Sequence, residues 1–201
     1  MIKRAFDICF ALCALLVSAP ALAIISVWIK FDSPGPILFR QQRIGLRGHP
    51  FAINKFRTMR IGAEEQGPQI AVSADPRVTR AGAFLRRHKL DELPQLFNVL
   101  IGNMSIVGPR PEVSRYVDLY PCEKRELILS VRPGITDLAS VAYRNESALL
   151  SGEGDPEERY LSEIMPAKLE YCCCYVTQRS MTLDLLIIWR TVAAVLRGPG
   201  S

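Results

Sequence analysis

An uncharged, apolar run of 22 residues, Ile8–Ile29, constrains this chain more than any other feature of its sequence. A helix of that length rises about 33 Å, enough to cross the ~30 Å hydrocarbon core of a bilayer. The chain has 201 residues, which leaves room for one further domain with its own core. We therefore expect a membrane segment at 1–31 and a single domain at 32–197. The last four residues, 198–201, resemble a cloning remnant.

Three interpretations of this run stay open on the sequence: a cleaved signal peptide, a single membrane-spanning helix, and a re-entrant hairpin that enters and leaves by the same face. A signal peptide is the weakest, because strongly apolar sequence continues beyond the candidate cleavage site at Ala21–Ala23. The hairpin is favoured, because Pro20 lacks an N–H and disrupts a helix near its middle. The Ser18 hydroxyl is then expected to bond a backbone group freed by the break.

Positive charge lies on both sides of the apolar run. The basic residues are Lys3 and Arg4 before it, and Lys30, Arg40, Arg43 and Arg47 after it. Because cytoplasmic flanks of membrane segments are enriched in Lys and Arg, this pattern fits two cytoplasmic ends. The net charge of +5 suits anionic partners: phospholipid head groups, nucleotide phosphates or nucleic acid. No Walker loop, dinucleotide fingerprint or zinc-ligand spacing in the sequence selects among them.

The remaining sequence predicts a mainly helical α+β domain. Two short strands, 37–39 and 51–53, flank a glycine-containing turn and predict a hairpin. A polar stretch predicts a loop at Glu64–Asp75. The last predicted helix, 182–196, is short for a span and contains charged residues, so we expect it in the core or at the membrane interface. The other helices are predicted to begin near Arg80 and to run over 91–101, 112–119 and 157–178.

Asp91 and Glu92 have two interpretations. Asp91 stands where a predicted helix begins, and an aspartate there is ordinarily an N-cap. The alternative uses the same geometry, because a helix N-terminus holds a carboxylate ionised and a fixed carboxylate can attack phosphorus to form an aspartyl-phosphate. The adjacent Glu92 can hold Mg²⁺, which prefers carboxylate and phosphate oxygens and reduces the repulsion between two anions. Local sequence alone favours the cap.

Basic residues precede and follow this pair, among them Lys55 and Arg86, and such residues usually form a solvated face. Arg110 differs, because it lies between Pro109 and Pro111, whose fixed φ angles restrict its backbone. A planar guanidinium held in this way suits bidentate contacts with a phosphate or with the edge of uracil.

Eight short stretches carry a family resemblance when they are taken in order. They are Arg4–Asp7 with the apolar run, Asp32–Pro36, Gln42–Gly45, Lys55–Met59, Asp75–Thr79, Leu90–Leu96, Gly102–Pro111 and Arg132–Thr136. With them the chain resembles the monotopic phosphoglycosyl transferases, which form the bacterial sugar transferase family. The stretches occur in the family's order over nearly the whole chain, and the ordered set is specific although no single stretch is.

The resemblance implies a re-entrant helix-break-helix hairpin in the bacterial inner membrane, with Ser18 and Pro20 at the break. A small catalytic domain with interfacial amphipathic helices would lie on the cytoplasmic face. The implied reaction moves a sugar-1-phosphate from a UDP-sugar to polyprenol phosphate and releases UMP, which initiates glycan or glycoconjugate synthesis. Asp91 would carry the phosphosugar covalently, and Glu92 would help to bind Mg²⁺. The other implied site residues are Lys55 and Arg86 at the phosphate or the dyad, and Arg110, Pro109, Pro111 and Arg57 at the substrate.

Three positions depart from the family pattern: Asn103 replaces a usual Asp, and Asp137 and Ser140 replace a usual Gly and Gln. The last two lie where the sugar site is expected, so the sugar is not predicted. A homodimer is left open. The rival from another class is a non-catalytic binding or scaffold protein at the membrane surface, which would tolerate loss of Asp91. A nucleic-acid binder is disfavoured, because it has no use for the apolar run.

Overall fold

The computed structural model describes residues 2–63, 75–144, 146–150 and 155–197, and it confirms a mainly helical α+β fold. Most of the loop predicted at Glu64–Asp75, and the tail at 198–201, lie outside the described residues. The strands are β1 (Leu38–Ile44), β2 (Pro50–Phe56), β3 (Ser105–Val107) and β4 (Gly134–Thr136). The helices are α1 (Ile2–Asp32), α2 (Arg80–Arg87), α3 (Gln95–Ile101), α4 (Ser114–Val117), α5 (Cys122–Leu129), α6 (Leu138–Ala142), α7 (Glu146–Leu149), α8 (Pro156–Arg159), α9 (Met165–Gln178) and α10 (Met181–Arg197).

Helix α1 contains the whole apolar run and is assigned as helix without interruption, so the predicted break between two helices is not confirmed. By length and composition it is apolar enough to cross a membrane. Pro20 lies inside it and leaves the Leu16 carbonyl without its usual N–H donor. The Ser18 hydroxyl does not replace that donor, because it donates to the Leu15 carbonyl at 3.4 Å.

Both ends of α1 pack against the same domain. Near the N-terminus, Arg4 donates to the carbonyl oxygens of Val99 and Leu100 at the end of α3. At the C-terminus, the Asp32 carboxylate accepts a hydrogen bond from the Ala81 N–H at the start of α2. No residue from 12 to 24 is fully buried, although Ala14 and Leu15 pack partly against the core, so the middle of the helix is its most exposed part.

The predicted hairpin is present, and its strands extend beyond the predicted residues. β1 and β2 pair antiparallel from Leu38 opposite Phe56 to Ile44 opposite Pro50. A second, parallel pair joins β3 to β4, with Ser105 opposite Gly134. A Cβ on Gly134 would lie 2.1 Å from the nitrogen of Gly108, so this close approach requires glycine. The parallel pair thereby brings two sequence motifs together, the one that contains Arg110 and the one that ends at Thr136.

Helix α10 confirms the helix predicted at 182–196, and it has two unlike faces. Ile187 and Asp184 are buried on the inner face. Leu185 and Trp189 are exposed on the outer face, where an amphipathic helix at a membrane interface would carry such residues. The helix predicted at 157–178 is also present, as α8 and α9 joined by a π-helical turn at Tyr160–Ile164.

Candidate active site

The turn that carries Asp91 and Glu92 differs from the predicted helix start. Lys89 adopts the left-handed conformation, with φ of 57°, and ends the path of α2. A 3₁₀ turn follows at Leu90–Glu92, and α3 begins only at Gln95, with Pro94 as its N-cap. Asp91 is therefore not an N-cap, and the prediction that a helix N-terminus holds its carboxylate is wrong. The reversal at Lys89 starts a new turn before α3, and the N-terminus of α3 has no side-chain cap.

Asn98 fixes α3, and hence the turn before it, against the hairpin. Its side-chain oxygen accepts hydrogen bonds from the backbone and side-chain nitrogens of Asn54, at 2.9 and 3.0 Å. Its side-chain nitrogen donates to the Ala52 carbonyl at 2.7 Å. Asn98 is fully buried, and these bonds satisfy polar groups that burial would otherwise penalise. In the helix predicted at 91–101, Asn98 lies on a different face from the apolar residues. The sequence gave no partner for it.

Asp91 is buried, and one oxygen of its carboxylate has no hydrogen bond within the described part of the chain. The residue as a whole is 8% exposed. Its Oδ1 accepts no hydrogen bond among the described residues. Burial raises the pKa of Asp91, and the charge of Glu92 raises it further. Nearby Lys55, Lys89 and Arg86 act in the opposite direction. A buried carboxylate without a partner is destabilising, so its retention points to a chemical use.

The Glu92 carboxylate has the opposite environment, because cationic side chains donate hydrogen bonds to both of its oxygens. Lys55 donates to Oε1 at 3.1 Å. The two terminal nitrogens of Arg110 donate to Oε1 and Oε2, and the Oε2 contact is 3.2 Å. Burial by itself would raise the pKa of Glu92, but Arg110 and Lys55 hold that pKa well below its usual range. Glu92 therefore stays ionised and fixes two cations beside Asp91.

The backbone around Arg110 is held from three sides. The Arg110 N–H donates to Asp137 at 3.0 Å. The Pro109 carbonyl accepts from the Gly134 N–H at 3.0 Å, and the Pro111 carbonyl accepts from Arg43 at 3.2 Å. The two prolines thus position Arg110 rather than lining the main cavity themselves. Asp137, a departure from the family pattern, has a double role, because it also caps α6 through the Ser140 N–H at 2.6 Å.

The structure separates two arginines that the family resemblance placed at the site. Arg86 borders the cavity beside Asp91, and its Nε donates to the Thr58 hydroxyl at 2.9 Å. Arg57 is buried elsewhere, where it donates to the carbonyl oxygens of Ser33 and Pro34 at the exit of α1. Arg57 does not border the cavity, and its terminal nitrogens are bonded to these carbonyls, so a contact of Arg57 with substrate stays a prediction without support from the geometry.

The predicted residues that come together border one cavity of about 1050 Å³. They are Lys55, Arg86, Asp91, Glu92 and Arg110. The cavity continues to a second charged cluster in which Arg43 donates to Glu112 at 3.1 Å and Lys168 donates to Glu146 at 3.1 Å. Sequence reasoning missed this cluster, because its members are distant in the chain. The position of Glu112 directly after Pro111 was the one available signal.

The carboxylates of Asp91 and Glu92 are the type of ligand that suits a magnesium ion. The described part of the chain holds no group of three or more His, Cys, Asp or Glu that would bind a metal on its own. Mg²⁺ does not need one, since it commonly uses one or two carboxylates with water and substrate phosphates. The unpaired Oδ1 of Asp91 offers such a ligand. Glu92, the predicted ligand, keeps acceptor capacity, because its Oε2 accepts one hydrogen bond, from Arg110, among the described residues.

Comparison with known proteins shows the same family over the whole chain. The family described as bacterial sugar transferase matches residues 1–198. The UDP-N-acetylgalactosamine-undecaprenyl-phosphate N-acetylgalactosaminephosphotransferase of Aeromonas hydrophila is 38% identical over 202 residues, which are 100% of this chain and 45% of the relative. The UDP-glucose:undecaprenyl-phosphate glucose-1-phosphate transferase of Escherichia coli K12 is 40% identical over 195 residues, 96% of this chain and 39% of the relative.

A third relative has the length of this chain. The exopolysaccharide production protein PSS of Rhizobium leguminosarum is 40% identical over 209 residues, which cover 100% of this chain and 98% of the relative. The chain thus spans less than half of the first two relatives and nearly all of the third. Because the match is continuous and includes every motif around the cavity, the chain belongs to the bacterial sugar transferase family.

Proposed function

We propose that this chain transfers a sugar-1-phosphate from a UDP-sugar to a polyprenol phosphate by way of a covalent intermediate on Asp91. The observation that carries the proposal is the buried, unpaired Oδ1 of Asp91 at a cavity bordered by fixed cations. Two relatives are named as transferases for a UDP-sugar and undecaprenyl phosphate, and these names support the substrate class. Those relatives differ in the sugar, so the proposal does not name one.

The first half-reaction is a displacement at the β-phosphorus of the UDP-sugar. A carboxylate oxygen of Asp91 forms the new P–O bond, and the bond to the bridging oxygen breaks, so that UMP leaves with the electron pair. Arg86, Lys55 and Arg110 offset the negative charge of the phosphates at the cavity wall. The raised pKa of Asp91 makes its ionised form a better nucleophile than an ordinary aspartate.

The second half-reaction releases the enzyme. A phosphate oxygen of polyprenol phosphate attacks the same phosphorus, and the P–O bond to Asp91 breaks, which restores the carboxylate. The product is a polyprenol diphosphate sugar. One site serves both steps, because the two substrates present their phosphates to the same cations in turn.

Mg²⁺ remains part of this proposal, and the carboxylate pair Asp91 and Glu92 would help to hold it. When bound, the ion would neutralise charge on the diphosphate and on the departing UMP. Glu92 also holds the side chains of Lys55 and Arg110 in place at the cavity.

We also propose that α1 enters and leaves a single leaflet of the bacterial inner membrane, with the domain on the cytoplasmic face. The support is geometric: the segment without buried residues, 12–24, rises about 20 Å, less than the ~30 Å of a hydrocarbon core. A single span would carry one end of α1 away from the domain, whereas Arg4 and Asp32 both bond to it.

A non-catalytic scaffold at the membrane surface is the alternative, and it leaves the buried charge of Asp91 without a purpose. The discriminating experiment measures UMP release from a panel of UDP-sugars with Mg²⁺ and polyprenol phosphate. We expect release from at least one UDP-sugar and none from Asp91→Asn. Asp118→Asn is the matched control, because Asp118 is exposed and lies outside the cavity. Full turnover by Asp91→Asn would support a different nucleophile, and no release by the wild type would support the scaffold.

A further inference from the structure

The cavity that contains Asp91 has a second, apolar side that the charged residues do not explain. Two helices provide its walls: α1 contributes Phe10 and Ala14, and α10 contributes Ile188, Val192 and Val195. These positions on α10 are separated by four and three residues, so they share one face of the helix. Over that face the helix rises about 10 Å.

This apolar groove, defined by Phe10, Ala14, Ile188, Val192 and Val195, opens beside the reacting group. Leu93 and Leu96 also border the cavity, and Leu93 is two residues after Asp91 in the chain. The lining of the same cavity therefore includes the cations Lys55 and Arg86 as well as this mostly apolar surface. The Thr191 hydroxyl, which also lines the cavity on the α10 side, donates to the Ile187 carbonyl at 2.8 Å. A ligand that fills both parts must combine an anionic head with an apolar tail.

The helices on either side of the groove point to a lipid rather than to a nucleotide. α1 is the described helix that is apolar enough to cross a membrane. α10 exposes Leu185 and Trp189 on its outer face, which is typical of a helix at a head-group interface. A groove between such helices is reached from the bilayer, and neither the uridine nor the sugar of a UDP-sugar has an apolar chain to place there.

We infer that the groove binds the first isoprene units of the polyprenyl chain, while the phosphate of the same molecule lies at the Lys55 and Arg86 end. This inference rests on the proposed function and adds to it the place where the lipid substrate is recognised. The length of the groove accommodates only the head-proximal units, so the remainder of the chain stays in the bilayer. The enzyme then distinguishes a prenyl phosphate from a free phosphate by its first isoprene units.

The test fills the groove and separates the two half-reactions. Val192→Trp and Val195→Trp place a large ring where the chain would lie. We expect the KM for polyprenol phosphate to rise about tenfold, because the ring occupies space that the chain would otherwise fill. Covalent loading from the UDP-sugar without acceptor reports on the charged end alone, and we expect both variants to load.

Leu185→Trp is the matched control. Leu185 and Val192 lie on the same helix and are equally exposed, at 52% and 50%, but only Val192 borders the cavity. We expect Leu185→Trp to leave the KM for polyprenol phosphate unchanged. An equal rise in this control, or an unchanged KM in both groove variants, would show that the groove does not hold the chain. Failure of the wild type to load would instead contradict the proposed function.

Chain length gives a second readout on the unmodified protein. Dimethylallyl phosphate, with one isoprene unit, should be a much weaker acceptor than geranylgeranyl phosphate, with four. Extension beyond four units should change the KM little, since the added units lie outside the groove. A KM that falls steadily up to the longest chains, or that does not depend on chain length, would overturn the inference. The inference would also be overturned if the groove variants altered only the dependence of activity on added phospholipid, because an acyl chain would then be the occupant.

Discussion

Asp91 and Glu92 are neighbours in one 3₁₀ turn, yet their carboxylates have opposite environments. Both oxygens of Glu92 accept hydrogen bonds from Arg110, and one also accepts from Lys55. The Oδ1 of Asp91 is buried without a hydrogen bond among the described residues. In the proposed mechanism, Glu92 anchors the cations and Asp91 is the group that reacts.

This division predicts that Asp91 reduces stability. Asp91→Asn removes a buried charge, so we expect the free energy of unfolding at neutral pH to rise by about 1 kcal/mol while turnover is lost. Thermal unfolding in detergent would measure the change. Asp118→Asn, at an exposed position, should leave both stability and turnover unchanged. Lower stability of Asp91→Asn would mean that the carboxylate has a stabilising partner.

The raised pKa of Asp91 predicts the pH dependence of the first half-reaction. Asp91 must be ionised to attack, so the rate of covalent loading should fall on acidification at a higher pH than the ordinary aspartate value of 3.8 implies. The fold favours the protonated form of Asp91. The stability that this form contributes is therefore present below the pKa of Asp91 in the unfolded chain, and it is lost as the pH rises through the pKa of Asp91 in the folded chain. The stability advantage of Asp91→Asn should therefore shrink at acidic pH. A loading rate that stays constant down to the ordinary pKa would contradict the raised value.

Asp137 should affect substrate binding through Arg110. Asp137→Ala removes the cap of α6 and the acceptor of the Arg110 N–H, so we expect a loss of about 1 kcal/mol in stability and a higher KM for the UDP-sugar. Kinetics at fixed acceptor concentration would measure the KM. Asp155→Ala is the control, because Asp155 caps α8 in the same way but lies outside the cavity. The same KM in both variants would exclude a positioning role for Asp137.

The path of α1 can be tested by labelling single cysteines in a background without the native ones. Ile2→Cys and Phe31→Cys lie at the two ends, and Val17→Cys lies in the middle; all three positions are more than three-quarters exposed in the isolated chain. A membrane-impermeant maleimide should label positions 2 and 31 only in inside-out vesicles, and it should not label position 17 from either side. Labelling of position 2 from the periplasm would establish a single span instead.

Sequence reasoning found the hairpin, α2, α10 and, through the family resemblance, the residues around the cavity. It placed Asp91 wrongly in the fold, because the left-handed turn at Lys89 depends on tertiary packing rather than on a local sequence signal. It also placed Arg57 with Arg110 at the substrate, since a local pattern does not show that the terminal nitrogens of Arg57 bond to backbone carbonyls at the exit of α1. Contacts between distant segments, such as Lys168 with Glu146 and Asn98 with Asn54, were beyond the reach of local patterns.

Mass spectrometry of the protein after reaction with a UDP-sugar in the absence of polyprenol phosphate tests the central claim most directly. The account predicts a mass increase of one phosphosugar, located on Asp91 by peptide mapping and removed when polyprenol phosphate is added. A phosphosugar on another side chain, or turnover without any adduct, would contradict it.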